Sequence, residues 1–382
     1  MGRKLIALAA LCVLWPGLLI HTMAAEAPAV SAASAVLLDA DSGRILYAQN
    51  ENEERAIASI TKLMTALVAA EYLDDLSQTI TIQKEWTGIE GTSLYLKAGE
   101  EISLETLLYG LLLHSGNDAA VALAAHCAGD VETFVGWMNQ RARDLGMTGT
   151  HFSDPNGLGD EDHYSTALDM ARLGAACLKN PVVAKIVATK SIVLEGRSFT
   201  NHNKLLWQYE GCTGMKTGYT RQAGRTLVSS AERDGQKLVC VTLNDGNDWA
   251  DHKALLDYGF ETYPRQVLAE EGGTLRRMTV EESLLRQVPV VARDTVAYPL
   301  KEGEQVTAKI QLPKTARAPV TQGEIAGTVT FYKGERQVGR TYLVWGKSAG
   351  QDVISQDSPR SPLGMLKRWT GEESTAWRAS PR

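Results

Sequence analysis

Ser59-Ile60-Thr61-Lys62 sets a hydroxyl and an amine three residues apart. On a helix those two positions share a face, so the amine can reach the serine oxygen. A serine hydroxyl is a weak nucleophile until an adjacent base takes its proton, and a neutral lysine can be that base. By itself the pair reads first as an N-cap serine beside a solvated lysine. Two further groups change that reading. Ser115-Gly116-Asn117 interrupts an apolar helical run with small polar residues, as a loop aimed into a cleft would. Lys216-Thr217-Gly218 lies in a strand-like run, where Gly218 weakens the ladder unless another backbone must approach closely. The chain holds one Ser-x-x-Lys, one Ser-x-Asn and one Lys-Thr-Gly, in that order.

The surrounding pattern says what must position these groups. Val36–Leu38 and Ile45–Tyr47 read as two strands around the turn Asp41-Ser42-Gly43. The stripe Leu63, Ala66, Leu67 and Ala70 predicts a helix beginning at or just after Ser59. Ser103 is the expected N-cap of the apolar stretch Leu104–Leu113, and the region from 103 to 180 reads as mostly helical. Ser191–Leu194, Met215–Thr220, Arg225–Ala231 and Lys237–Leu243 read as strands, the last two joined around Asp234-Gly235. A final helix is expected near Ala250–Tyr258, and the first hairpin should return to join the later strands. The domain exits at Tyr263-Pro264, and from 274 to 346 short alternating segments punctuated by Pro and Gly predict a separate all-β domain. These patterns place one mixed layered domain at 30–264 before a small all-β domain at 274–346.

With 382 residues, 44% hydrophobic and 22% charged, the chain has the composition of a folded protein of two or more domains. Its formal charge of -6 offers no general attraction to phosphate backbones, so nucleic acid is not an expected partner. Arg3 and Lys4 precede the apolar run Leu5–Trp15, and small residues follow at Ala24 and Ala25, the pattern of a secretory signal over 1–25. Export would permit disulfides among Cys127, Cys177, Cys212 and Cys240, whose pairing the sequence cannot choose, but the apolar settings of Cys127, Cys177 and Cys240 favour free, buried thiols. The seven histidines form no His-Glu-x-x-His and there is no Cys-x-x-Cys, so no metal or cofactor is expected. The tail 355–382 reads as disordered. Within it Leu363, Leu366 and Trp369 beside Lys367 and Arg368 make a short face that could touch a membrane surface.

The three motifs resemble those of the penicillin-binding serine D-alanyl-D-alanine carboxypeptidases, the low-molecular-mass DD-peptidases related to serine β-lactamases. The likeness extends to Phe152–Leu158, His163–Met170, Asn201–Leu206 and Leu255–Phe260. It implies a β-lactamase/transpeptidase-like α/β (α+β) domain with a mainly antiparallel sheet flanked by helices and a helical subdomain, followed by a small C-terminal all-β domain. It also implies removal of the terminal D-alanine from peptidoglycan stem peptides, outside the cytoplasmic membrane, with β-lactams as inhibitors. By the same resemblance Ser59 is the nucleophile, Lys62 its base, and Ser115 the proton relay to the leaving amine. Asn117 holds the substrate backbone, while Lys216 and Thr217 bind the terminal carboxylate. Gly218 lets the substrate lie along the strand, and the N–H groups of Ser59 and Tyr219 form the oxyanion hole. Asp245–Trp249 lacks the Arg that many relatives carry, which leaves Arg221 to substitute. Two other readings share the motifs, a serine β-lactamase and a non-catalytic cell-wall-binding protein. A class A lactamase deacylates with a Glu followed four residues later by Asn; Glu132, Glu161, Glu195 and Glu210 all lack that setting. A non-catalytic relative would normally have lost a motif residue, and none is missing.

Overall fold

The computed structural model describes residues 26–159 and 161–352. The expected signal at 1–25 and the tail at 355–382 lie outside these described residues. Five antiparallel strands form the central sheet, in the order Ile45–Gln49, Ser34–Asp39, Gln236–Leu243, Gly224–Arg233 and Cys212–Thr220. The first hairpin therefore does return to the later strands, with Ser34–Asp39 running against Gln236–Leu243. Side chains alternate across a strand, and the alternation sorts this core into two layers. Val36, Leu38, Val228, Val239 and Val241 pack under the helical region, while Leu37, Leu227, Leu238 and Cys240 meet Leu255 and Leu256 of the helix Asp248–Thr262.

The helical region is built from Lys62–Tyr72, Leu104–Tyr109, Asn117–Ala128, Val131–Asp144, Ala167–Lys179 and Pro181–Val187. Ser103 caps as expected, its Oγ accepting the Thr106 N–H at 3.2 Å. The apolar run after it does not stay α-helical. Gly110–His114 is a π turn, which shifts the chain before Ser115. Ser191–Leu194 is a strand but stands outside the main sheet, paired only with Arg197–Thr200.

Beyond Tyr263, β-structure begins at once, because Arg265–Ala269 pairs with Val296–Pro299. A six-stranded sheet follows, with its own core around Met278, Val288, Val290, Val329, Phe331 and Leu343. Arg44, at the turn of the first hairpin, ties this part to the rest. Its guanidinium donates to both Glu304 carboxylate oxygens at 2.7 Å and to the Pro299 carbonyl at 2.6 Å, stacked over Tyr263 and Tyr298. Cys127, Cys177, Cys212 and Cys240 are all free, and burial pushes each thiol upward, Cys127 to about 12.

Candidate active site

The Ser59–Lys62 pair sits where a 3-10 turn, Ala58–Thr61, runs into the helix that begins at Lys62. Lys62 Nζ lies 3.0 Å from Ser59 Oγ and donates to the Asn156 carbonyl at 2.6 Å. That carbonyl draws one N–H away from the serine, so a neutral amine can turn its lone pair toward Oγ. Lys62 is fully buried, and burial, followed by the like charge of Lys216, holds its pKa well below the usual lysine range. Asp154 and Asp118 pull the other way and are outweighed. Lys216, 2% exposed, is itself lowered to about 7 by burial, and its Nζ donates to the Thr217 carbonyl at 2.9 Å.

Ala58, just before the nucleophile, has φ 51°, a left-handed conformation that costs a non-glycine residue about 1–3 kcal/mol. The turn is pressed against the edge strand Cys212–Thr220. A Cβ on Gly218 would fall 3.0 Å from the Ser59 nitrogen, 3.1 Å from the Ile57 carbonyl oxygen and 2.4 Å from Thr226 Oγ1. Gly218 is thus the close approach that its place in a strand suggested.

Ser115 follows the π turn with φ 69° and is buried. Asn117 opens the next helix; its backbone N–H donates to the Thr92 carbonyl and its Nδ2 to the Glu90 carbonyl. Asp118 clamps the same segment, accepting from Ser93 Oγ, the Leu94 N–H and the Leu96 N–H. Ser59, Thr92, Ser115, His202, Lys204, Thr217, Gly218, Tyr219, Arg225, Asp248 and Trp249 line a cleft of about 400 Å³. Lys62, Asn117 and Lys216 stand buried behind that lining. A larger cavity, about 1180 Å³, opens between the first hairpin and the β-domain and contains none of the three motifs.

Sequence reading located the motif residues but not their supports. Asp118, the Asn156 carbonyl and His202 were missed, although Asn156 and His202 lie in segments that share the resemblance. Arg221 corrects an expectation: it lines a separate depression beside Ala56–Ala58. Among the cleft-lining residues the cations are Lys204 and Arg225, and Arg225 is held by bidentate hydrogen bonds to the buried Asp248 and stacked over Trp249. Its place on the strand Gly224–Arg233, beside the start of the helix Asp248–Thr262, could not be deduced from spacing. None of Glu132, Glu161, Glu195 and Glu210 is among the cleft-lining residues.

A hydroxyl poised against a buried amine, beside an open edge strand, is the arrangement of an active-serine acyl-transfer enzyme. The profile of the D-alanyl-D-alanine carboxypeptidase family matches residues 21–247, and that of the penicillin-binding protein 5 C-terminal domain matches 263–351. The chain belongs to the serine D-alanyl-D-alanine carboxypeptidase family. The D-alanyl-D-alanine carboxypeptidase DacF of Bacillus subtilis is 32% identical over 79% of this chain and 82% of its own length. DacC of Escherichia coli is 32% identical over 84% of both chains. The crystal structure of penicillin binding protein 5 from Haemophilus influenzae covers 85% of this chain and 99% of its own, with 30% identity and a TM-score of 0.70.

Proposed function

We propose that this DD-carboxypeptidase removes the terminal D-alanine of peptidoglycan stem pentapeptides through an acyl-enzyme on Ser59. The observation that carries the reading is the 3.0 Å approach of Ser59 Oγ to a fully buried amine whose proton is destabilised. Neutral Lys62 accepts the Ser59 proton while Oγ attacks the carbonyl between the two D-alanines. The oxyanion is received by the N–H groups of Ser59 and Tyr219, each such donor being worth about 3–4 kcal/mol. As the C–N bond breaks, Ser115 passes a proton to the leaving amine and D-alanine departs; water then releases the shortened peptide. Asn117 holds the substrate backbone, and Lys216 and Thr217 bind the carboxylate. Arg225 and Lys204 add further positive charge at the cleft. A β-lactam enters the same sequence and leaves Ser59 acylated.

In this reading 30–264 is the peptidase domain and 274–346 a separate β-domain, and the protein acts after export directed by residues 1–25. Among the described residues no helix is long and apolar enough to cross a membrane. Incubation with a muropeptide pentapeptide, followed by mass spectrometry, tests the activity. Loss of a single alanine is expected, and its absence with a correctly folded enzyme overturns the proposal. Separation of a cross-linked dimer would reveal endopeptidase action instead.

A further inference from the structure

One side chain outside the three motifs links the two segments that set the Ser59–Lys62 geometry, meeting one through a backbone N–H and the other through the Thr61 hydroxyl. His163 is buried, and its Nε2 lies 2.8 Å from Thr61 Oγ1. Its Nδ1 lies 3.1 Å from the Ser153 backbone nitrogen, whose N–H points at it. A backbone N–H can only donate, so Nδ1 carries a lone pair and the ring proton belongs on Nε2. Nε2–H then donates to Thr61 Oγ1. The Thr61 hydroxyl hydrogen goes to the Ala58 carbonyl, 2.8 Å away. The direction of every bond in this chain follows from one amide at its start.

The two ends of the chain matter to the chemistry. Ala58 is the strained residue immediately before the nucleophile. Ser153 opens the segment whose Asn156 carbonyl accepts from Lys62. In that segment the Asp154 carboxylate takes the N–H groups of Asn156 and Gly157. Gly157 packs so closely that a Cβ there would fall 2.1 Å from the Ala58 carbonyl oxygen. Around the ring stand Phe152, in a T-shaped contact, the Ser153 hydroxyl, 3.4 Å from Nδ1 and able to donate to it, and the Asp154 carboxylate, 3.8 Å from Nδ1.

We propose that neutral His163, in its Nε2–H form, acts through Thr61 as a positioning residue that holds the Ala58–Ser59 turn in register with the Asn156 carbonyl. It touches no reacting atom. The inference rests on Ser59 being the acylated serine, and it concerns how fast that serine is acylated. Misplacing reacting groups by about 1 Å can cost on the order of 10²-fold in rate.

The test measures penicillin acylation by rapid mixing, which separates non-covalent binding from the chemical step. Thr61→Val keeps the side-chain shape and removes the hydroxyl, while Thr61→Ser keeps the hydroxyl. Thr61→Val and His163→Phe are each expected to slow the chemical step about 10–100-fold, with non-covalent binding changed less than about threefold. The double variant should be no slower than the worse single one, because both break one chain. Thr61→Ser should retain most of the rate. Nitrogen-15 NMR of the wild-type imidazole should show a protonated Nε2 and a bare Nδ1, a readout that needs no activity and stands even if Ser59 is not the nucleophile. A proton on Nδ1, multiplicative losses in the double variant, or a Thr61→Val enzyme with a normal chemical step would each overturn the proposal.

Discussion

A primary amine is a general base only without its third proton, and burial is what makes Lys62 able to give that proton up. Removing the amine should therefore remove the chemistry while leaving the binding surface. Lys62→Ala is expected to lower the acylation rate about 10²–10⁴-fold with the fold intact. Near-normal labelling by a fluorescent penicillin in that variant would show that another group takes the proton. The sign of the pH dependence follows from the two lysines. Lys62 works when neutral, and its pKa is held well below the usual lysine range, so kcat/KM should rise as pH rises through that depressed value. In the proposed role Lys216 would bind the substrate carboxylate best when charged, and burial lowers it to about 7, so kcat/KM should fall again above neutrality. A profile that climbs steadily to pH 10 would mean that Lys62 keeps its ordinary pKa or that Lys216 does not face the carboxylate.

The pieces of secondary structure differ in how plainly the sequence announces them. Period-two runs such as Leu238–Val241 and the turn at Asp234-Gly235 mark strands by local physics, and the structure has them as Gln236–Leu243 paired with Gly224–Arg233. The π turn Gly110–His114 has no local signature, because Gly110-Leu111-Leu112-Leu113 is equally good α-helix; only the need to present Ser115 distinguishes it. The Arg225–Asp248 pair is likewise invisible, since it joins residues brought together by the pairing of strands and the loop after them. Gly218 was legible as an anomaly within a strand, though its neighbour was not. In the structure a Cβ there would meet Thr226 Oγ1 first and then the Ser59 nitrogen and the Ile57 carbonyl oxygen, so the glycine sets how near the Ser59 turn lies to the edge strand. Gly218→Ala should push the two apart and lower acylation on the order of 10²-fold, with a far smaller change in melting temperature. Unchanged acylation would show that the turn and strand can separate without consequence.

Across the whole molecule, one arginine joins the peptidase core to the β-domain. The ion pair with Arg44, with help from Lys333, lowers the Glu304 carboxyl to about 2. A depressed carboxyl stabilises the folded state fully above its ordinary value of 4.5, and that contribution is lost as pH falls toward 2. Arg44→Ala should cost roughly 1.5–3 kcal/mol, the usual worth of hydrogen bonds to a charged group, and lower the melting temperature by several degrees. Peptidase activity on a soluble peptide should stay within about twofold, because the active-site cleft contains no β-domain residue. Glu304→Gln should flatten the acid-side loss of stability, and an unaltered acid limb would place that loss elsewhere. The central claim concerns Ser59, and the fate of penicillin tests it most directly. In the proposed mechanism the β-lactam ring would open on the serine, but its leaving nitrogen would stay tethered and keep water from the acyl carbonyl. None of the glutamates between Asn117 and Lys216 is among the cleft-lining residues to drive deacylation. Intact-protein mass spectrometry over time should show one penicillin added per chain, mapped to Ser59, lasting minutes or longer and absent from Ser59→Ala. Rapid turnover of penicillin with no accumulating adduct, or an adduct that survives in Ser59→Ala, would contradict this account.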